Sequence, residues 1–328
     1  MANREKLAAY GALAAVWFFW GTTYLAIRVG LEGLPPMLLA GIRFTIAGSV
    51  LFLVMYRQQG ARLPIGREWF DLSVVGILLL VVGNGAVVWA EQWIPSGMAA
   101  LLVATSPFWV AGFERTARNG ERMTARVLVG MLVGFGGLAL LVAPEIFGAR
   151  LEGSYILGIM GLQLACASWS GGSVYAKHHQ AGVAPLMSAA VQMLVAGALM
   201  TIAGTTLGEW GATRLTPRSL GALLYLIVFG SIVAYSAYTF AVQKLPLSIV
   251  STYSYVNPVI AVLLGWLLLS EPLGWRVLAA TAIILLGVAL VKTSPKEILA
   301  AIRRLRRGRR TEEAVLPATS ESCSASVR

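Results

Sequence analysis

The chain has 328 residues, of which 57% are hydrophobic and 12% charged, with a net charge of +11 and a mean hydropathy of +0.74. Soluble domains carry about 25% charged residues, so this composition excludes an ordinary soluble protein. The two cysteines, Cys166 and Cys323, fall in an apolar stretch and in a polar tail, which excludes a structural disulfide and a metal-ligand pattern.

Crossing a hydrocarbon core of roughly 30 Å takes about 20 apolar residues. Ten stretches qualify, at about residues 7–28, 36–56, 71–90, 96–113, 124–143, 155–176, 185–206, 219–241, 248–269 and 275–292. The expected fold class is therefore an all-α membrane protein with ten transmembrane helices. Little lies outside them, which leaves no room for a soluble catalytic domain. Arg4 and Lys6 precede the first stretch as in a secretory leader, but no small-x-small cleavage pattern follows. It reads as a retained helix.

The second half repeats the first. Leu13, Trp20, Pro36 and Ala47–Gly48 align with Leu162, Trp169, Pro185 and Ala196–Gly197. Further on, Ala86, Ala90, Pro95 and Pro107 meet Ala237, Ala241, Pro246 and Pro258, and Glu121, Arg126 and Gly137 meet Glu271, Arg276 and Gly287. Two homologous blocks of five spans enter the bilayer in opposite directions, so the repeats should be inverted, as in transporters with a site at the repeat interface. The division is residues 1–148, 149–292 and a tail, 293–328.

With the N-terminus inside, cytoplasmic segments hold 20 of the 26 Lys and Arg residues. Arg28, Arg150, Arg214, Arg218 and Arg276 are outside, and Arg43 is within a span. This positive-inside bias puts both termini in the cytoplasm. In the tail, residues 296–310 form an amphipathic basic stretch suited to anionic lipids or to a topology anchor, not to nucleic acid. From Thr311 the composition is that of a disordered segment.

In the first span Trp17, Trp20 and Tyr24 share a face, and Trp20 is matched by Trp169 in the sixth. Both tryptophans are followed by small or hydroxylated residues, which let helices approach. Helix packing and a cavity wall are both open readings; the repetition favours the cavity. In the third span Asn84, Val88 and Glu91 share a face, with Trp89 beside them; the matching eighth-span positions are Tyr235, Thr239 and Val242, next to Tyr238. Glu91 reads first as a solvated carboxylate at the helix end, then as a substrate-ammonium or proton site. Ser106–Pro107 and Asn257–Pro258 occupy matching mid-helix positions, where proline frees the carbonyls of Val103 and Ser254; Tyr253 and Ser254 lie nearby. These prolines are helix kinks for packing or for a cavity.

Arg43, two turns into the second span and opposite Gln192 in the repeat, reads first as a snorkelling structural arginine. Contact with a substrate carboxylate, or duty as a counter-ion, comes second. Lys177, His178 and His179 read as a solvated inner loop without a metal site. Gly130 and Gly134 suit close packing within the chain or across a dimer. No nucleotide-binding or catalytic motif occurs, so neither an ATP-driven pump nor an enzyme is expected, and no cofactor.

The segments WGTTY (Trp20–Tyr24), IRFTIAG (Ile42–Gly48), AEQWIPSGMAALL (Ala90–Leu102), SYVNPVIAVLLGW (Ser254–Trp266) and SEPL (Ser270–Leu273) together resemble the EamA-type family of the drug/metabolite transporter superfamily. The resemblance covers about residues 7–292 in both blocks. It implies ten helices in two inverted repeats, a bacterial-type inner membrane and export of amino acids, metabolites or drugs. It also implies a cavity lined by helices one, three, four, six, eight and nine, and a monomer or a homodimer through helices five and ten. A small-molecule substrate is the expected partner. The competing expectation is a non-transporting membrane sensor or scaffold acting through its basic tail.

Overall fold

The computed structural model describes residues 2–58, 62–116, 153–245, 247–250 and 252–292, with scattered positions between 125 and 140. The expected fifth span, 124–143, lies outside these apart from those scattered positions, and the tail readings lie wholly outside. The chain divides at Lys292, and the following description concerns the unit before it.

Every regular element among the described residues is helical. α1 is Ala2–Gly30 and α2 Pro36–Arg57. α3 starts at Arg67, passes through a π-helical segment, Ile77–Asn84, and ends at Ala90. Two shorter helices follow, α4 (Ser96–Val103) and α5 (Ser106–Thr116). In the second half, α6 is Gly153–His178 and α7 Pro185–Thr206. α8 starts at Pro217, passes through a second π-helical segment, Leu226–Val233, and ends at Lys244. α9 (Leu247–Val250), α10 (Tyr253–Leu269) and α11 (Trp275–Lys292) complete the unit.

The starts follow from local chemistry. Proline opens α2, α7 and α8 at the first turn, where its missing N–H costs nothing. Thr216 and Ser219 add a reciprocal capping box to α8. Among the described residues six helical stretches are long and apolar enough to cross a bilayer: Arg4–Gly30, Pro36–Arg57, Arg67–Ala90, Ser96–Arg115, Pro185–Thr206 and Pro217–Lys244. Bands of exposed apolar side chains, among them Ile46, Val50, Leu53 and Val54 on α2 and Leu263, Trp266 and Leu267 on α10, exceed what a water-facing surface tolerates and suit lipid.

Elements of the two halves are interleaved. α1 packs on α8 and α10, while α6 packs on α3 and α5. α2 and α7 make the most extensive helix pair among the described residues, and glycines on both let the backbones meet. A Cβ on Gly197 would lie 2.8 Å from Thr45 Cα, and one on Gly48 would lie 2.9 Å from the Leu194 nitrogen. Gly287 of α11 is pressed in the same way against Gly130 and Gly134. That glycine face is therefore occupied within the chain.

The fourth expected span is present as the stretch Ser96–Arg115, interrupted by a short turn. Ala104 and Thr105 form a turn between α4 and α5, and Pro107 sits in the first turn of α5 instead of mid-helix. The Val103 carbonyl accepts a 2.6 Å bond from Ser106 Oγ, so the polar group exposed at the turn is satisfied locally. Pro258 does lie inside α10, and Thr252, just before that helix, is in a turn.

Candidate functional site

Where the two halves meet, side chains of α1, α2, α3, α6, α8 and α10, together with Val103 and Ser106, line a part-open cavity whose space, counted with the solvent at its mouth, is about 670 Å³. Its wall includes Trp20, Tyr24, Asn84, Ser106, Trp169, Tyr235, Tyr253 and Asn257, eight of the residues expected at a substrate site. The remainder is mostly apolar, with Ile27, Phe44, Leu80, Val87 and Ala165, and one charged residue, Arg43.

One side of the cavity is an aromatic cluster drawn from both halves. Trp20 and Trp169 meet edge to face, with centroids 5.3 Å apart at 85°. Tyr238 lies 5.0 Å from Trp20 and 5.4 Å from Trp169, and Tyr253 stands edge-on to Trp20 at 5.3 Å. Most polar ends are tied down, whereas Trp169 Nε1 is buried without a hydrogen-bond partner. Trp20 Nε1 donates to the Gly230 carbonyl at 3.3 Å, Tyr238 and Ser173 hydroxyls pair at 2.7 Å, and Tyr235 donates to Gln192 Oε1 at 2.6 Å. With its amide nitrogen turned toward them, Asn257 donates to the carbonyls of Trp17 (3.0 Å) and Tyr253 (3.2 Å). Such a wall offers ring faces and edges on a fixed frame, which suits partly apolar solutes.

Four expected site residues stand outside the wall of this cavity. Tyr238 is behind the aromatic cluster and lines a smaller neighbouring space with Ser173 and Tyr253. Trp89 stacks edge-on against Trp93 at 4.8 Å and touches the α6 backbone at Gly161. Ser254 is buried at 3% exposure. Glu91 just follows α3, and the reading of a solvated carboxylate is overturned: the residue is 0% exposed and neither carboxyl oxygen has a hydrogen-bond partner. Arg28 reaches its backbone carbonyl and that of Gln92 (3.1 Å), not its carboxylate.

Two other readings are corrected. Arg43 does not snorkel: it is 3% exposed, its Nε donates to Ser231 Oγ at 2.6 Å, and its guanidinium lies 4.8 Å from the Phe44 ring centroid. Lys177 is not a solvated loop residue. It belongs to the last turn of α6, and its Nζ donates to the end carbonyls Val242 O (2.9 Å) and Leu245 O (3.0 Å) of the α8 region. The neighbouring acids also serve helix ends. Glu271 accepts from the Ser96 and Gly97 amides at 2.8 and 3.1 Å and from Ser96 Oγ at 2.7 Å, and Glu209 accepts from the amides of Met37 and Leu38. Among the described residues no group of His, Cys, Asp and Glu could hold a metal ion.

A family model for EamA-like transporters matches the chain twice, over residues 7–143 and 156–293. The chain belongs to the EamA-like transporter family. It is a membrane transporter, and its family places it among proteins that move solutes. It is 37% identical over 292 residues to the uncharacterized inner membrane transporter YedA of Escherichia coli strain K12, covering 89% of this chain and 92% of that protein. The uncharacterized transporter YvbV of Bacillus subtilis is 25% identical over 88% of this chain and 93% of its own length. A WAT1-related chloroplastic protein of Arabidopsis thaliana is 26% identical over 85% and 68%, respectively. A solved crystal structure shares the fold, with a TM-score of 0.64 at 22% identity over 92% of this chain and 99% of that one.

Thr23, Phe44, Gly83, Cys166 and Gly230 line the cavity although nothing in the sequence marks them for it, and Arg43, read first as a structural arginine, lines it too. Only Arg43 carried a signal, as a charge inside an apolar span, where ionised side chains mark pathways.

Proposed function

We propose that the protein is a secondary transporter of an inner membrane that exports small amphipathic solutes, such as amino acids, other metabolites or drugs. Alternating access would operate around the cavity between the halves. In this reading residues 1–148 and 149–292 are inverted five-helix blocks with both termini cytoplasmic, and the basic tail, 293–328, rests on anionic lipid. Two features support the paired blocks. The family pattern occurs twice, and the π-helical segments Ile77–Asn84 and Leu226–Val233 lie 149 residues apart at both ends, as do Pro36–Arg57 and Pro185–Thr206. The inner membrane is inferred from the likeness to YedA, an inner membrane transporter. The protein works as a monomer or, through faces of the fifth and tenth spans other than the occupied glycines, as a homodimer.

The observation that carries this reading is the aromatic wall shared by Trp20 and Trp169. Ring faces strip water from an apolar solute at small entropic cost, and a wall built half from each block changes shape when the blocks rock. The test starts from a thermal-shift screen of amino acids, nucleosides, sugars and cationic drugs, since a ligand of the folded state stabilises it. Counterflow of the best ligand is then measured in proteoliposomes. Trp20→Ala and Trp169→Ala should each lower the rate at least tenfold at normal membrane expression. Normal counterflow in both variants contradicts the assignment.

A further inference from the structure

A buried guanidinium without a counter-ion is the least expected group in a solute cavity. Arg43 is the only charged residue in the wall, and no acidic side chain lines it. No ion pair involves Arg43 among the described residues, and its Nη1 has no hydrogen-bond partner. Its position is fixed from two sides. Nε is held by Ser231 Oγ at 2.6 Å, and Gly230, a wall residue, leaves room beside Nη2, where an added Cβ would lie only 2.9 Å away.

Burying an arginine costs several kcal/mol unless a partner compensates it. Here the fold supplies one neutral hydroxyl and the face of the Phe44 ring, but no negative charge. A structural arginine at this depth would be expected to meet a carboxylate of the chain, and the acids that are near helix ends, Glu209 and Glu271, are engaged elsewhere. The other unpaired polar atoms in the wall, among the described residues, are Asn84 Oδ1, an acceptor, and Trp169 Nε1, a donor.

We propose that Arg43 is the anion subsite of the cavity and that the transported solutes are monocarboxylates with an apolar or aromatic body. The carboxylate bridges the guanidinium, Asn84 accepts from a hydroxyl or N–H of the solute, and the body lies against the Trp20–Trp169 wall. Charge balance sets the preference. A monoanion leaves the loaded cavity neutral, whereas a zwitterion leaves one uncompensated positive charge and a cation leaves two. Planar, two-point recognition of a carboxylate is what a guanidinium does best. This inference rests on the cavity being the transport site and narrows what it carries.

The test uses four probes with one body and different head groups: 3-phenylpropanoate, 3-phenylpropanamide, phenylalanine and 3-phenylpropylamine. Binding to the purified full-length chain is read by thermal shift across a concentration series. The carboxylate should bind at least tenfold more tightly than the amide and more tightly than the zwitterion or the amine. Arg43→Gln, which installs the side chain found at the matching repeat position, should erase that preference. Arg43→Lys should keep the order of preference with weaker binding. Gly230→Ala, which crowds Nη2 and leaves the charge in place, covers the case in which Arg43→Gln fails to fold and should weaken carboxylate binding selectively.

Equal or tighter binding of the amine or amide by the native chain overturns the proposal, as does native-like carboxylate binding by Arg43→Gln or Gly230→Ala. Absence of binding by all four probes also overturns it. Trp20-dependent counterflow of a cation or a neutral solute would leave the transport reading standing while this inference falls, so the two failures are distinguishable.

Discussion

Trp20 of α1 and Trp169 of α6 stand edge to face at 5.3 Å, although 149 residues separate them and each belongs to a different half of the chain. They are the same position of the repeat, brought together at the centre. Aromatic pairs of this geometry contribute about 0.5–1.5 kcal/mol beyond area burial. A double-mutant cycle with Trp20→Leu, Trp169→Leu and the double variant should return a coupling in that range from unfolding of the purified protein. A coupling indistinguishable from zero would mean the rings do not meet in the dominant state.

Glu271 offers the second prediction. Its carboxylate receives both leading amides of α4 and the Ser96 hydroxyl, fastening the start of one helix to the loop after α10. Glu271→Ala leaves those donors unpaired and should destabilise the protein by about 1–3 kcal/mol. Glu271→Gln, which keeps one acceptor, should fall between the two. An unchanged melting temperature in Glu271→Ala would refute the cap.

Glu91 is buried without partners for its carboxyl oxygens and stands outside the cavity wall. An ionised group there is costly, so the isosteric neutral change Glu91→Gln should leave the melting temperature unchanged or raise it. Because the carboxyl does not face the cavity, solute should equilibrate independently of an imposed pH gradient in both native and Glu91→Gln proteoliposomes. Gradient-driven accumulation by the native chain, lost in Glu91→Gln while counterflow persists, would instead make Glu91 the coupling group.

Inverted topology with both termini inside is tested by single cysteines in a chain carrying Cys166→Ser and Cys323→Ser. Gly211 is exposed, and a Cβ there meets nothing within 4 Å; Gln58 is exposed after α2. Gly211→Cys should react with an impermeant thiol reagent in intact cells, and Gln58→Cys only after permeabilisation. The reverse pattern would invert the assignment.

Much of this fold is legible in the sequence because lipid imposes a simple rule. Apolar runs of bilayer length bounded by Pro36, Pro185 and Pro217 become α2, α7 and α8, with starts within two residues of the expected ones. The π-helical segments were not legible, since Ile77–Asn84 and Leu226–Val233 are apolar on nearly every side and lack a periodic stripe that would reveal a change of helical pitch. Pro107 misled for a related reason. Its position in the span is clear, but the turn at Ala104–Thr105, where Ser106 Oγ closes on the Val103 carbonyl, has no marker in the apolar run. Arg43 and Glu91 were readable as unusual charges but not as buried ones, because their surroundings come from distant segments: Ser231 lies 188 residues from Arg43. At the cavity, aromatic and amide residues stood out by type, whereas Thr23, Gly83 and Gly230 line it through backbone proximity that no local pattern encodes.

The claim most exposed to test is that the cavity between the halves opens to each side of the membrane in turn. Asn84 lines that cavity. With Cys166 and Cys323 replaced by Ser, Asn84→Cys is reconstituted in one orientation and exposed to an impermeant thiol reagent on either face alone. The account predicts modification from both faces, slowed from both by a bound solute. Modification from one face only, or unaltered by any solute that the native chain transports, would contradict it.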